Sequence, residues 1–260
     1  MIKRDINYLK NIRKNILRLT HKAKSSHIGS CLSIVEILYT LYFKILKKGD
    51  KFILSKGHAA LALYSCLYEK KILSKNDLQS FGKNDTTLMA HVSHKVKGVD
   101  FSTGSLGHGL PVSVGKSLIF KKIKKKNKVF VLLSDGELNE GSTWESLLFA
   151  CHHKLDNLNI IIDNNKIQSL GLVKNIIKLE PLKDKLRSFG AKVYRCNGHD
   201  INQLKKYLLI KCKNKPKVII ADTIKGKGIS FMENNNLWHY KNPDDNELNK
   251  AIKEIEIKYA

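Results

Sequence analysis

No run of about 18 consecutive apolar residues occurs in the chain, so the sequence predicts no membrane-spanning helix. Proline is scarce, at four residues in 260, and no Pro/Gly-rich or low-complexity stretch interrupts the chain. Residues 1–260 therefore read as a single domain. The cysteines (Cys31, Cys66, Cys151, Cys196 and Cys212) are odd in number, widely spaced and without a CxxC pair, which argues against a disulfide framework or a zinc site. Met1–Asp5 leads into a lysine-punctuated helical pattern with no apolar leader, so a reduced, cytoplasmic setting is expected. Arginine is rare too, only five of 47 basic residues, although the formal charge is +24. A charge of that size suits a nucleic-acid-binding protein. Such proteins concentrate Arg and aromatic side chains on one face, whereas lysines here run along the whole chain. No specific nucleic-acid partner is expected. The densest cluster, Lys121 to Lys128, reads as a solvated loop; adventitious polyanion binding or an acidic partner surface are further uses for the charge.

What is present is an alternation of helical and β-rich patterns. Ile6, Leu9, Ile12, Ile16 and Leu19 have helical spacing. Ser33-Ile34-Val35-Glu36 has the form of a capping box opening a second helix, and Gly57 opens a third. Val129–Leu133, Leu158–Ile162 and Val218–Ala221 are continuous apolar runs, as expected of strands buried on both faces. One helix, residues 142–154, fits between the first two, giving a parallel βαβ unit. The fold class is α/β, a mostly parallel central sheet with helices on both faces.

In such sheets ligands bind beyond the carboxyl ends of the strands. Ser134-Asp135-Gly136-Glu137 follows the first strand and Asp163-Asn164-Asn165-Lys166-Ile167 follows the second, so neighbouring strands would set Asp135 beside Asn165. A carboxylate, an amide oxygen and a backbone carbonyl suit a hard cation that keeps phosphate oxygens and water in its shell. Gly136 permits close backbone approach. Residue chemistry alone reaches a metal or phosphate site and stops there.

Further segments carry a resemblance. Ser26-His27-Ile28-Gly29-Ser30, Leu54-to-Ala60, Ser102-to-Leu110, Asp135-Gly136-Glu137, Glu140-to-Glu145, His152-to-Leu158, Asp163-to-Gly171, Gly198-His199-Asp200, Lys225-to-Gly228 and Trp238-His239 occur in the order found in transketolases. The chain resembles their N-terminal portion, and most of all the separately encoded N-terminal subunits of split transketolases. That resemblance implies a thiamine diphosphate-binding fold in which Asp135, Asn165 and the carbonyl of Ile167 hold Mg²⁺, with Ca²⁺ as a substitute. It implies that His27, His58, His91 and His239 line cofactor and sugar, although Ala90-His91-Val92-Ser93 lacks the family's usual Gly-His-Pro. His58 and His239, with Gly104, Ser105, Leu106, Gly136 and Glu137, would also contact the cofactor. Glu140 and Glu145 match an acidic network joining paired active sites. Two departures stand out: Ser134 replaces the usual Gly, and Ser169-Leu170-Gly171 replaces Ile-Asp-Gly. His94, His108, His152, His153 and His199 are assigned to structure or loop positioning, Trp144 to the core, and Lys225–Gly228 to phosphate or to loop flexibility.

The family also uses a glutamate on a pyrimidine-binding domain, for which a chain ending at Ala260 has no room. The expectation is a two-plus-two heterotetramer with a separately encoded C-terminal subunit, inactive without it, moving a two-carbon ketol unit between small sugars or sugar phosphates. The competing readings are another thiamine diphosphate enzyme half, 2-oxoacid decarboxylating or deoxyxylulose-type, a basic nucleic-acid-binding domain, and a degenerate structural subunit. The histidines favour ketol transfer, because hydroxyl protons must be removed and returned near neutral pH.

Overall fold

The computed structural model describes residues 3–259. Five strands, β1 (Lys51–Leu54), β2 (Val129–Ser134), β3 (Leu158–Asn164), β4 (Lys192–Asn197) and β5 (Lys217–Asp222), form one sheet in the order β1-β2-β3-β5-β4. Every pairing is parallel. Strand alternation sorts the side chains into two cores. Phe52, Phe130, Leu132, Ile161 and Ile219 face one apolar cluster, with Leu9, Leu61, Leu204 and Ile255 from the covering helices. Ile53, Val131, Leu133, Ile160 and Ile220 face the other, with Leu110, Leu147 and Leu186. Burying each such side chain fully contributes about 1.5–3 kcal/mol, and β2 and β3 are buried at every position.

The three apolar runs are the three central strands, and the expected βαβ unit is β2, helix Gly141–His152 and β3. The two edge strands carry weaker signals: in β4 only Val193 and Cys196 are buried. The capping box is not formed. Ile34 is the N-cap of helix Val35–Thr40, and no side chain caps it. Ser33 Oγ instead donates to Asp163 Oδ2 at 2.7 Å, and Glu36 is taken by Arg13 (2.7 Å) and His199 (2.9 Å). Buried charges gain more from one another than a local cap gains at a helix end. Among the described residues no helix is long and apolar enough to cross a membrane, and all five cysteines are free.

Candidate functional site

The β2–β3 register sets Ser134 beside Asp163, and Asp135 and Asn165 follow at the carboxyl end of the sheet. Asp135 is 1% exposed. Its Oδ1 accepts from the Gly136 amide (2.7 Å) and its Oδ2 from the Lys166 amide (2.6 Å). Burial and the charge of Asp163 push its pKa up to about 6 despite those amides. Asn165 Oδ1 accepts from the Ile167 amide at 3.1 Å, and its Nδ2 donates to Asp163 Oδ2 at 3.0 Å. Asp135, Asn165 and Ile167 thus share one wall of a cavity of about 340 Å³, also lined by Gly104, Leu106 and Gly136.

Behind this wall stands a charge pair that sequence reasoning missed. Lys56 and Asp163 are both fully buried and ion-paired. Asp163 also accepts from Ser33, Asn165 and Thr223. Burial alone would raise Asp163, but Lys56 and these donors outweigh it and hold its carboxyl below the usual range. Asp163 is therefore saturated. Asp135 has two amides and no salt-bridge partner among the described residues.

The opposite wall holds four imidazoles from remote segments. His27 lies 5.3 Å from His58, 5.7 Å from His91 and 4.9 Å from His239 between ring centroids. His27 adopts a left-handed φ of 72°, uncommon for a residue with a Cβ, and its amide donates to the His239 carbonyl at 2.8 Å. Burial, then His91 and the cations Lys225 and Lys56, lower His27 to about 4. Burial, then Lys225, lowers His239 to about 3. Burial and Lys56 hold His58 well below its ordinary value, and burial lowers His91. All four are neutral near pH 7, the state able to accept a proton.

Lys225 ties the two walls together. Its buried ammonium has four acceptors within reach of its three protons: the carbonyls of Ile167 (3.2 Å) and Gln168 (3.1 Å), Asn236 Oδ1 (3.4 Å) and His239 Nδ1 (2.9 Å). An ammonium only donates, so His239 Nδ1 accepts and its proton resides on Nε2. The next residue, Gly226, has φ 81°, and a Cβ there would lie 2.2 Å from the Met232 carbonyl oxygen, so glycine is required for this turn. The sequence left Lys225–Gly228 to phosphate or to loop flexibility; in the fold the Lys225 ammonium holds the loop carrying Ile167.

The remaining expected residues divide. Glu140 is exposed at the cavity rim, while Glu145 lies on the exposed face of helix Gly141–His152, outside the cavity. Ser105 lines a neighbouring surface pocket with His108. Glu137 does not reach the cavity: it is fully buried and its Oε1 accepts from Ser55 Oγ and the Gly107 amide. It fastens the 104–107 loop to the end of β1 through Oε1, while its Oε2 is buried without a hydrogen-bond partner. His199 bridges Glu36 and the Ile224 amide (2.9 Å each), as a loop-positioning residue. Trp144 is half-buried, its ring tilted 36° against Phe189 at 5.5 Å with its indole N–H on the Leu138 carbonyl.

The donor set fits Mg²⁺ and a diphosphate. Asp135, Asn165 and Ile167 line one cavity, the raised Asp135 has no salt-bridge partner among the described residues, and His27 Nδ1, Asn139 Oδ1 and Gln168 Nε2 are buried there without partners. Among the described residues no three His, Cys, Asp or Glu side chains form a metal cluster.

Comparison with known proteins identifies the family. Residues 4–258 match the family described as transketolase, thiamine diphosphate binding domain. An apulose-4-phosphate transketolase subunit from Actinobacillus succinogenes is 43% identical, over 95% of this chain and 94% of its own length. A 6-deoxy-6-sulfo-D-fructose transketolase subunit of a Clostridium species is 35% identical, over 94% of each. The crystal structure of transketolase from Campylobacter jejuni superposes with a TM-score of 0.87 at 29% identity, over 98% of this chain; the chain spans 42% of that longer protein.

Proposed function

Because the chain belongs to the transketolase family, within its thiamine diphosphate-binding part, we propose that it is the cofactor-binding subunit of a two-subunit, Mg²⁺-dependent ketol transferase. The observation that carries this reading is a single cavity with an oxygen-donor wall of Asp135, Asn165 and Ile167 facing four neutral imidazoles. Asp135, Asn165 Oδ1 and the Ile167 carbonyl hold Mg²⁺, with Ca²⁺ as a looser substitute. Lys56, which lines the cavity, supplies positive charge beside the diphosphate. Thiamine diphosphate, when bound, supplies the carbanion chemistry.

The chain's own work is binding and proton handling. His27, His58 and His91, each neutral at pH 7, take the hydroxyl proton of a ketose donor and return a proton to the aldehyde oxygen of an aldose acceptor, while His239 donates from Nε2–H. Lys225 fixes the His239 tautomer so that Nε2–H is the end available to substrate. Gly104 and Leu106 leave a flat apolar edge for the cofactor rings. Glu140 and Glu145, both exposed, meet a second copy or the partner. Both relatives are named as transketolase subunits, which supports a partner chain carrying the pyrimidine-binding domain in a two-plus-two assembly. Those relatives are named for apulose 4-phosphate and 6-deoxy-6-sulfo-D-fructose, which supports a ketose phosphate or sulfonate as substrate.

The test is two-carbon transfer from a ketose donor with thiamine diphosphate and Mg²⁺, measured with and without a separately encoded pyrimidine-binding subunit. Transfer is expected only with both; robust turnover by this chain alone overturns the two-subunit reading.

A further inference from the structure

Some of the lysines that run through the whole sequence line one edge of the folded chain. Parallel pairing sets Lys51 beside Val129, Val129 beside Leu158, Asn159 beside Lys217 and Lys217 beside Lys192. The amino ends of all five strands therefore share one edge, opposite the edge that carries Asp135 and Asn165. Backbone and side-chain hydrogen bonds stitch the entering segments together. Lys51 N donates to Lys128 O and Val129 N to Asn157 O (3.0 Å each), and Lys192 N to Pro216 O (2.9 Å). Asn127 Nδ2 donates to Lys48 O (3.0 Å) and Asn214 N to Asp156 Oδ2 (3.1 Å).

Within segments 47–51, 121–128, 154–157 and 211–217 and at position 192, twelve lysines are exposed against two aspartates. Those aspartates are turned onto the chain itself. Asp50 accepts from the amides of Lys128 (2.8 Å) and Lys47 (3.0 Å), and Asp156 from the Asn214 amide, with Lys121 at 3.7 Å. The edge is thus almost uncompensated. Four strand spacings of about 4.8 Å make it about 19 Å wide, a length along which duplex phosphates present about eleven charges.

The chemistry of the edge narrows the occupant. It carries no Arg fork for reading bases, and Phe120 is half-buried under the Lys125 ammonium at 5.0 Å, so that ring offers no stacking platform. Ile123 is the exposed apolar side chain of the lysine cluster, too little for the apolar core of a protein interface or for insertion into a lipid surface. We propose that the amino-end edge of the sheet binds the phosphate backbone of nucleic acid by charge alone, independently of the cavity at the other end.

The test is fluorescence anisotropy with a labelled 20-nucleotide RNA and a 20-base-pair duplex, titrated with the full chain from 50 to 200 mM KCl. Affinity is expected to fall on the order of 100-fold across that range for about five neutralised phosphates of the single strand, with little difference between poly(U) and poly(A). Lys124→Glu/Lys125→Glu/Lys126→Glu should weaken binding by about tenfold or more at 50 mM KCl, while Lys83→Glu/Lys95→Glu/Lys253→Glu, the same charge change outside these segments, should change it less than about twofold. Equal losses in the two variants would assign binding to net charge and overturn the proposal. So would absence of binding at 50 mM KCl, or binding to phosphatidylglycerol vesicles without binding to either nucleic acid.

Discussion

The two ends of the sheet handle charge in opposite ways. At the carboxyl end Lys56, Asp163, Asp135 and Lys225 are buried, and most of their donors and acceptors are matched within the chain. At the amino end the lysines stand in water with few partners. A buried charge is fixed in place by the cost of leaving it unpaired, so the carboxyl end has a geometry on which chemistry can be built. A hydrated charge is worth little individually and has no fixed direction, so the amino end can supply field but no specificity.

That contrast can be broken most severely at the ion pair. Asp163→Asn strands the Lys56 ammonium in the core and should cost about 3–5 kcal/mol in urea unfolding; a loss below about 1 kcal/mol would mean that the pair is not what holds this end together. Lys56→Met/Asp163→Leu should recover most of the loss, since both charges leave together. Asp135→Ala tests the opposite character, a charge kept at some cost for a ligand. Its folded pKa of about 6 shows that the ionised form is penalised in the fold. Calorimetry of thiamine diphosphate with Mg²⁺ should show affinity down by more than about 100-fold, while thermal stability of the ligand-free chain does not fall.

The imidazoles predict a pH effect of intermediate size. His27 and His239 have folded pKa values of about 4 and 3, against about 6.5 in the unfolded chain. As pH falls below about 6.5 the unfolded chain takes up protons that the folded chain refuses, so stability falls through that window towards pH 4. Asp135, raised to about 6, acts in the other direction, because the folded state binds its proton first. With His58 and His91 also lowered, the histidines outnumber it. The melting temperature of the ligand-free chain should drop from pH 7 to pH 5, and the drop should shrink in His27→Asn/His239→Asn. The smallest effect belongs to the amino end: Lys124→Glu/Lys125→Glu/Lys126→Glu should shift unfolding free energy by no more than about 0.5 kcal/mol per substitution, and a larger loss would show that these side chains carry structure.

What the sequence made legible follows the same division by partner distance. β2 and β3 were readable because a strand buried on both faces must be apolar throughout, and their ends then located Asp135 and Asn165. β4 was not, because an edge strand with only Val193 and Cys196 buried has no periodic signature. The Ser33–Glu36 box failed because Ser33 has a partner 130 residues away that no local pattern announces. Lys56 was hidden for the same reason: a lysine in a loop is ordinarily solvated, and its burial depends on Asp163, 107 residues on. The histidines were found through motif order, but their neutrality comes from burial and neighbouring lysines, which only the packed structure contains. Glu137 lay inside a motif and turned inward, since a motif fixes proximity to a site without fixing the direction of a side chain.

Lys225 has a consequence for the thermodynamics of loading. Its ammonium already crosslinks residues 167, 168, 236 and 239 before any cation or phosphate arrives. The ordering entropy of the loop that carries the Ile167 carbonyl is therefore lost once, during folding, and not again at each binding event. Association at this wall should accordingly show a small conformational penalty, with most of the site's rigidity set when the chain folds.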